Sequence, residues 1–475
     1  MDHADQQGFR QLAPRPPGFE LSMKEESRMA QLHTRCATYF RTGWSLLASQ
    51  RTMNWAFVDQ VMVSGANFAT GILLARACGI YEFGRFSLVW LFVEFIGSLQ
   101  FAAVIQPMLN IGPKQDARDV DAYYHAVAVQ QGIFCTFFGV VVWGGVTLVG
   151  WLFAAPEVVE LALPLCAAVI TFQLHNFFRR YFFARDRAVV ALFNDVIRFA
   201  IQIAATAALL FVWPGSTAVA GLWIIAAACA ASIIQGFFYF GRVKWNTDAL
   251  VSVSVRHWAF SRWVLPCAFM YWMTTQAFVL MAGFVLGAAA TGGLRAAVSI
   301  TGVLNILLLA LDNFAPVKAA RALHVGGSVE LRRYIGSLTL LIGALTMGMV
   351  VLININPRYL VQLLYGDQFG SIDVLVRWLC VPLVVFAMAI PLNIWAAAME
   401  RTRTIFASYC IATAFTIIAA YPMTLYGELP GVVAGSLLVE TIRGVVLLIP
   451  FLQWARTIRG EKPEDRAPAR EAAEA

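Results

Sequence analysis

Charged residues are scarce in this chain. They make up 13% of the 475 residues, whereas 59% are hydrophobic, and the mean hydropathy is +0.68. A composition so poor in charge excludes a soluble globular domain. The eight cysteines form no Cys-x-x-Cys motif and no Cys/His cluster, so we expect neither a disulfide nor a metal site. The first 50 residues are polar and Pro-rich, and we expect no signal peptide there.

The chain contains instead a series of long apolar runs. A helix needs roughly 20 apolar residues to cross the hydrocarbon core of a bilayer, and such windows recur from residue 55 to residue 455. The sequence therefore predicts an all-α integral membrane protein. We place twelve spans, at about 54–78, 86–112, 122–151, 157–180, 188–212, 218–241, 263–287, 294–317, 335–355, 372–398, 405–425 and 431–455.

The basic residues predict how these spans are oriented. With a cytoplasmic N-terminus, all but seven of the 35 Lys and Arg residues fall on the inner side, as the positive-inside rule requires. Both termini are then cytoplasmic. This topology and anionic lipid headgroups explain the net charge of +7, which does not indicate a nucleic-acid partner. The seven exceptions are Arg76, Arg85, Arg198, Arg295, Arg358, Arg377 and Arg443.

An internal repeat divides the chain into two halves. At an offset near 210 residues, a glycine at the outer end of one span and an arginine that opens the next span recur. These are Gly79 with Arg85, and Gly287 with Arg295. We expect two six-span halves related by an axis along the membrane normal and enclosing a central cavity. The predicted regions are a partly disordered cytoplasmic extension, the first half, a basic cytoplasmic linker, the second half and a charged cytoplasmic tail, at 1–53, 54–241, 242–262, 263–455 and 456–475.

Polar and charged side chains inside the spans are candidates for lining that cavity. A charge at the bilayer centre costs about 2.5–3.5 kcal/mol, so it is usually functional or paired. The basic residue that we most expect to face the cavity is Arg295, which shares a helix face with Ser299, Gly302 and Asn313. The substrate-cavity candidates are Asp59, Asn67, Arg76, Arg85, Asp195, Arg198, Arg295 and Asn313. The candidates for ion coupling are Asp59, Glu94 and Asp312.

Structural interpretations compete with these roles. Arg76 and Arg85 flank an outer turn, from which both can reach lipid headgroups. Asp59 has no basic neighbour at helical spacing in its span, so it either lies at a wet inner mouth or titrates. His175 is expected to be a hydrogen-bonded structural residue. Three pairs have the spacing for charge neutralisation on one helix face, namely Asp195 with Arg198, Asp373 with Arg377, and Glu440 with Arg443.

The order of motifs resembles a known family. The first span ends in Leu-Leu-Ala-Arg at 73–76, a Gly79-x-x-x-Phe83-Gly84 turn follows, and the second span ends in Gln106-Pro107. With twelve spans in two halves, residues 54–455 resemble the oligosaccharide-lipid (Wzx-type) flippases of the MOP exporter superfamily, whose relatives include the MATE antiporters.

That resemblance implies a function and a location. The family moves undecaprenyl-pyrophosphate-linked saccharides across the bacterial inner membrane for O-antigen, capsule or exopolysaccharide assembly. It implies alternating access without a cofactor or a catalytic residue, in a protein that is not an enzyme. The implied partners are the lipid-linked oligosaccharide, membrane lipids and polysaccharide polymerase or export machinery.

Two other functions compete with the flippase interpretation. A MATE-type cation-coupled exporter of organic cations should favour acidic residues in its cavity. A polytopic polyprenyl-dependent glycosyltransferase or polymerase should carry a large outer loop with catalytic residues. The longest predicted outer loop, Asn356–Ser371, offers only Arg358 and Asp367, which is little for catalysis.

Overall fold

The structure is a computed structural model. It describes residues 18–116, 118–213, 215–304, 308, 311 and 315–460, with side chains given for residue 55 and, within those ranges, for residues 58–457. Residues 1–17 of the predicted extension, residues 461–475 of the predicted tail, and the candidates Asp312 and Asn313 lie outside the described residues. By internal packing the chain divides into two units, Met1–Ala56 and Phe57–Ala475. All of the contacts discussed below lie within the second unit.

The described residues form an all-helical fold without strands. Short π-helical and 3₁₀ segments occur at Phe101–Ile105, Gly112–Lys114 and Asp367–Ile372. In chain order the α-helices are α1 (Gly18–Gln100), α2 (Gln106–Ile111), α3 (Val120–Leu152), α4 (Pro156–Val159), α5 (Ala162–Ala184), α6 (Ala188–Val212), α7 (Ala218–Phe240), α8 (Thr247–Leu286), α9 (Ala288–Thr301), α10 (Ala315–Ile355), α11 (Pro357–Tyr365), α12 (Asp373–Ala398) and α13 (Thr402–Gly460).

The helices agree with the predicted membrane spans. Nine helical stretches of the described chain are long and apolar enough to cross a membrane. Two of these are 57 and 56 residues long, and each is interrupted once, at Gly79 and at Glu428, by backbone with positive φ. Each therefore supplies two spans, and α9 begins the predicted eighth span. The predicted all-α membrane fold is confirmed.

The two repeat glycines have the same local role. Gly79 has φ 75° and ψ 173°, and Gly287 has φ 89° and ψ 178°. Residues with a side chain rarely adopt this backbone region. The helix resumes directly after each glycine, so the predicted seven-residue turn after the first span is reduced to Gly79 alone.

Two segments predicted as connections are helical. Most of the predicted linker 242–262 belongs to α8, which begins at Thr247 and continues into the seventh span. The side chain of Asn246 caps the start of this helix by accepting from the amide of Ala249 at 3.0 Å. The predicted outer loop Asn356–Ser371 contains α11, which begins with another Asn cap at Asn356 and ends at Gly366 with φ 87°.

Candidate functional site

A cavity of about 750 Å³ lies between the two predicted halves. One wall is the end of the second span, and the opposite wall comes from the beginnings of the seventh and eleventh spans. All three segments are at the end of the molecule predicted to be cytoplasmic. The lining residues are Ser98, Phe101, Ala102, Gln106, Val264, Cys267, Ala268, Met270, Tyr271, Thr402, Ile405, Phe406 and Tyr409.

Hydrogen bonds hold the first part of α8 against the first half, beside the cavity wall. Pro107 has no N–H to donate to the carbonyl of Ala103, four residues earlier. The hydroxyl of Ser261 in α8 donates to that carbonyl at 3.2 Å. Four residues before Ser261, the ring of His257 lies 2.9 Å from the hydroxyl of Tyr123 in α3. The first part of α8 is therefore bound to the first half, although it leads into the second.

The cavity is lined by aromatic rings, hydroxyls and apolar groups. Its lining, among the residues that the structure describes, includes no Asp or Glu. One guanidinium from each half contacts a lining ring: Arg180 lies 5.8 Å from the Phe101 centroid, and Arg443 lies 4.5 Å from the Tyr409 centroid. Arg443 also donates to the Tyr409 hydroxyl at 3.0 Å.

Arg443 and Arg180 differ in their charge partners. Arg443 pairs with Glu440 at 3.0 Å, which confirms the pairing predicted from their spacing. No carboxylate of the described residues lies within ion-pair distance of Arg180. Arg180 is among the basic residues that the sequence places on the inner side, at the end of the predicted fourth span. The sequence signal that Arg180 lies on a helix next to the cavity, and not in a loop, is the apolar segment around it, which continues to Ala184.

A close helix crossing joins the two predicted halves at the end of the molecule opposite the cavity. A methyl group on Gly84 would overlap the carbonyl oxygen of Ala288, and a methyl group on Gly292 would overlap that of Ile80. These four residues, the outer seal, bring the backbones of α1 and α9 into contact. Glycine at both positions permits this approach because neither backbone carries a Cβ.

Arg76 and Arg85 belong to the end of the molecule predicted to be outer, and neither lines the cavity. Arg76 donates from Nε to the carbonyl of Leu364 at 2.7 Å, and from Nη2 to that of Leu363. It thereby satisfies terminal carbonyls of α11. Arg85 pairs with Glu82 at 2.8 Å, and the other carboxylate oxygen of Glu82 accepts from the first amide of α7.

Arg295 and Glu94 form an ion pair between the halves. Nη2 of Arg295 lies 3.1 Å from Oε2 of Glu94 in the second span. Their side chains are 16% and 33% exposed. Helical spacing along the second span could not reveal this partner of Glu94, because Arg295 lies about 200 residues away in the chain.

Four side chains form a buried charge network inside the first half. Arg179 in α5 donates to Asp195 of α6 at 2.5 Å and to Asp59 of the first span. Both carboxylates are completely buried. His175 lies 3.0 Å from Asp195 and 2.9 Å from the hydroxyl of Ser232. His175 is thus hydrogen-bonded, as expected.

This network corrects two expectations. Asp59 is fully buried, so of its two alternatives the wet inner mouth is wrong. Asp195 pairs with Arg179 of the neighbouring helix, which also donates to Asp59, rather than with Arg198 of its own helix. The guanidinium of Arg198 stacks at 4.4 Å from the Phe199 ring and 4.9 Å from that of Phe172. Asn67 is exposed and is not part of the cavity lining.

Comparison with known proteins identifies the architecture. No protein-family model and no curated protein matches the sequence. Among solved structures, an inward-facing multidrug resistance MATE transporter of the MOP superfamily matches with a TM-score of 0.65 and 15% identity, covering 84% of this chain and 96% of its own. An outward-facing one matches with 0.53 and 15%, covering 86% and 96%. A MOP superfamily transporter from Pyrococcus furiosus matches with 0.56 and 14%, covering 85% and 95%.

The chain has the fold of a MATE-like membrane transporter. Of the two multidrug transporters, the inward-facing one is more similar. The matched structures are those of transporters.

Proposed function

We propose that this protein is a flippase for an anionic lipid-linked saccharide, of the undecaprenyl-pyrophosphate type, in the bacterial inner membrane. The observation that carries the proposal is the chemistry of the cavity wall. No carboxylate belongs to its described lining, and a guanidinium from each half contacts one of its aromatic rings. Arginine suits phosphate because its planar donors can bind two oxygens at once.

The uncharged parts of the wall suit the rest of such a substrate. Ser98, Gln106, Thr402 and Tyr409 offer hydroxyl and amide groups to sugar hydroxyls, and Phe101 adds an apolar surface. A polyprenyl tail can remain among lipid chains while the head group enters the cavity. Rocking of the halves would then expose the head group on the other side.

Charge also distinguishes this proposal from export of organic cations. Such an exporter should present carboxylates to its substrate, whereas Asp59 and Asp195 lie in the buried charge network inside the first half and pair with Arg179. The superfamily member from Pyrococcus furiosus is described as having a binding pocket of reverse polarity that suggests a different function. Pocket polarity therefore varies on this fold.

Ion coupling is the second part of the proposal. Asp59 and Asp195 share the single guanidinium of Arg179, so the three groups together carry one excess negative charge when both carboxyls are ionised. A proton or another cation entering beside Asp59 would balance it. We assign coupling to Asp59 in preference to Glu94, whose charge is already matched by Arg295.

Arg180 provides the test. Surface polymer is measured in a strain that lacks one defined flippase, beside the amount of this protein in the membrane. Arg180→Gln should abolish the polymer at a normal protein level, and Arg180→Lys should retain part of it because the charge remains. Arg187→Gln, at an exposed position of the same end, is the matched control. Full polymer with Arg180→Gln, or acquired resistance to organic cations in place of polymer, would refute the proposal.

A further inference from the structure

The depth of the Arg295–Glu94 ion pair along the spans follows from its neighbours on the two helices. Glu94 lies one helical turn before Ser98, which lines the cavity, so the two residues share a helix face. Arg295 lies three residues after Gly292 of the outer seal. The pair is therefore placed between the cavity and the seal.

This ion pair joins the two halves. The ion pairs of Arg85, Arg179, Arg185, Arg333 and Arg443 each lie within one half. The pair of Arg295 connects the second span with the eighth. The outer seal consists of backbone contacts, which have no charge with which to sense a ligand. The Arg295–Glu94 pair next to it carries charges that a ligand can compete for.

We propose that the Arg295–Glu94 pair is a latch that the anionic group of the substrate releases. A phosphate oxygen entering from the cavity replaces the Glu94 carboxylate as the partner of Arg295, and the halves lose a contact that holds the outer end closed. The inference rests on the proposed function for the nature of the ligand. It goes further in coupling loading of the cavity to opening of the seal.

The exchange is physically favourable at this position. Arg295 donates to Glu94 through one nitrogen, which leaves other donors of the guanidinium for a second oxygen of a pyrophosphate. Because one anion replaces another, the arginine is never left as an unpaired buried charge, which would be costly. Glu94 is a third exposed and shares a helix face with Ser98 of the cavity lining, so its released carboxylate can be hydrated from the cavity. Without substrate the latch reforms, and an empty carrier stays closed at the outer end.

The latch can be tested by access to the outer seal. Thr291, between Ala288 and Gly292, is completely buried. A cysteine at this position, in a functional variant whose eight native cysteines are replaced, reports opening through its reaction with a membrane-impermeant maleimide. The protein is reconstituted into proteoliposomes of phosphatidylethanolamine and phosphatidylglycerol, and labelling is compared with and without undecaprenyl pyrophosphate in the bilayer. Labelling of Phe153→Cys, at a site 77% exposed in the connection between the predicted third and fourth spans, corrects for orientation and protein amount.

Undecaprenyl pyrophosphate should raise labelling of the Thr291→Cys protein. Glu94→Gln should raise it without the lipid, by roughly two- to fivefold for a partly exposed ion pair worth up to about 1 kcal/mol, and the lipid should then add little. Glu94→Asp should keep labelling low, because the carboxylate remains. Glu160→Gln, at an exposed glutamate of the outer end, is the matched control and should behave as the parent protein.

The outcomes separate the latch from the proposed function. Unchanged labelling with Glu94→Gln would overturn the latch and leave the result for Arg180 intact. An equal rise with undecaprenol, which lacks the pyrophosphate, would overturn release by an anion. Loss of polymer with Arg180→Gln together with labelling that follows this scheme would support both proposals. If the Glu94→Gln protein elutes as an aggregate, the Glu94→Ala and Glu94→Asp proteins are compared instead. Their difference in labelling then decides the same question.

Discussion

Removal of the Arg179 side chain should destabilise the protein far more than removal of its neighbour Arg180. Arg179 donates to Asp59 and to Asp195, and both carboxylates are fully buried. Arg179→Gln leaves both without a cationic partner in the interior of the first half. Arg180→Gln removes a guanidinium that has a ring contact but no carboxylate partner among the described residues.

The magnitude follows from the burial. Removing one partner of a buried ion pair costs about 3–5 kcal/mol, because the remaining charge is left uncompensated. The two carboxylates share one arginine, so the two losses are not independent, and about 3–5 kcal/mol is expected for the whole network. Replacing all three charges, with Arg179→Gln, Asp59→Asn and Asp195→Asn, should recover most of this loss, since complete replacement of a buried ion network is often nearly neutral.

The assay is the free energy of unfolding in mixed micelles, titrated with a denaturing detergent and followed by tryptophan fluorescence. Arg179→Gln should unfold at a much lower detergent fraction than the parent, and the triple variant near the parent value. Arg180→Gln should unfold almost as the parent does, although it should lose transport. Equal stability of the Arg179 and Arg180 variants, or a triple variant weaker than Arg179→Gln alone, would refute the reasoning.

Two further predictions concern coupling and the α8 connection. Asp59→Asn should make polymer production insensitive to an imposed proton gradient at a normal membrane level, whereas an unchanged response to the gradient would remove Asp59 from the coupling step. Ser261→Ala combined with His257→Phe should release the first part of α8 from the first half by deleting two hydrogen bonds, together worth about 1–3 kcal/mol. Trypsin should then cleave faster at Arg256, and an unaltered cleavage rate would contradict the docking of α8.

Much of the fold could be predicted from the sequence. The predicted spans rest on apolar length, which the bilayer imposes on any crossing helix. The repeat correctly paired Gly79 with Gly287, because both positions need backbone that a side chain disfavours. The Glu440–Arg443 pair was also predictable, since both members lie on one helix at a fixed spacing.

The charge partners between helices could not be predicted in this way. Asp195 has a basic residue three positions away, yet it pairs with Arg179 of another helix. Glu94 has no partner in its own span and finds one in Arg295. Helical spacing describes only neighbours on the same helix, whereas these contacts depend on how helices pack and rotate against one another.

The sequence by itself determined that this protein is built from apolar helices fit for a membrane, the approximate limits of those helices, and the two repeat glycines at which helices break. These properties are local, because each follows from the polarity or backbone freedom of a short segment. Only the tertiary structure decided which charges are buried together, which arginines contact the cavity wall, and which end is sealed. Those properties depend on distances between residues far apart in the chain, and packing alone sets such distances.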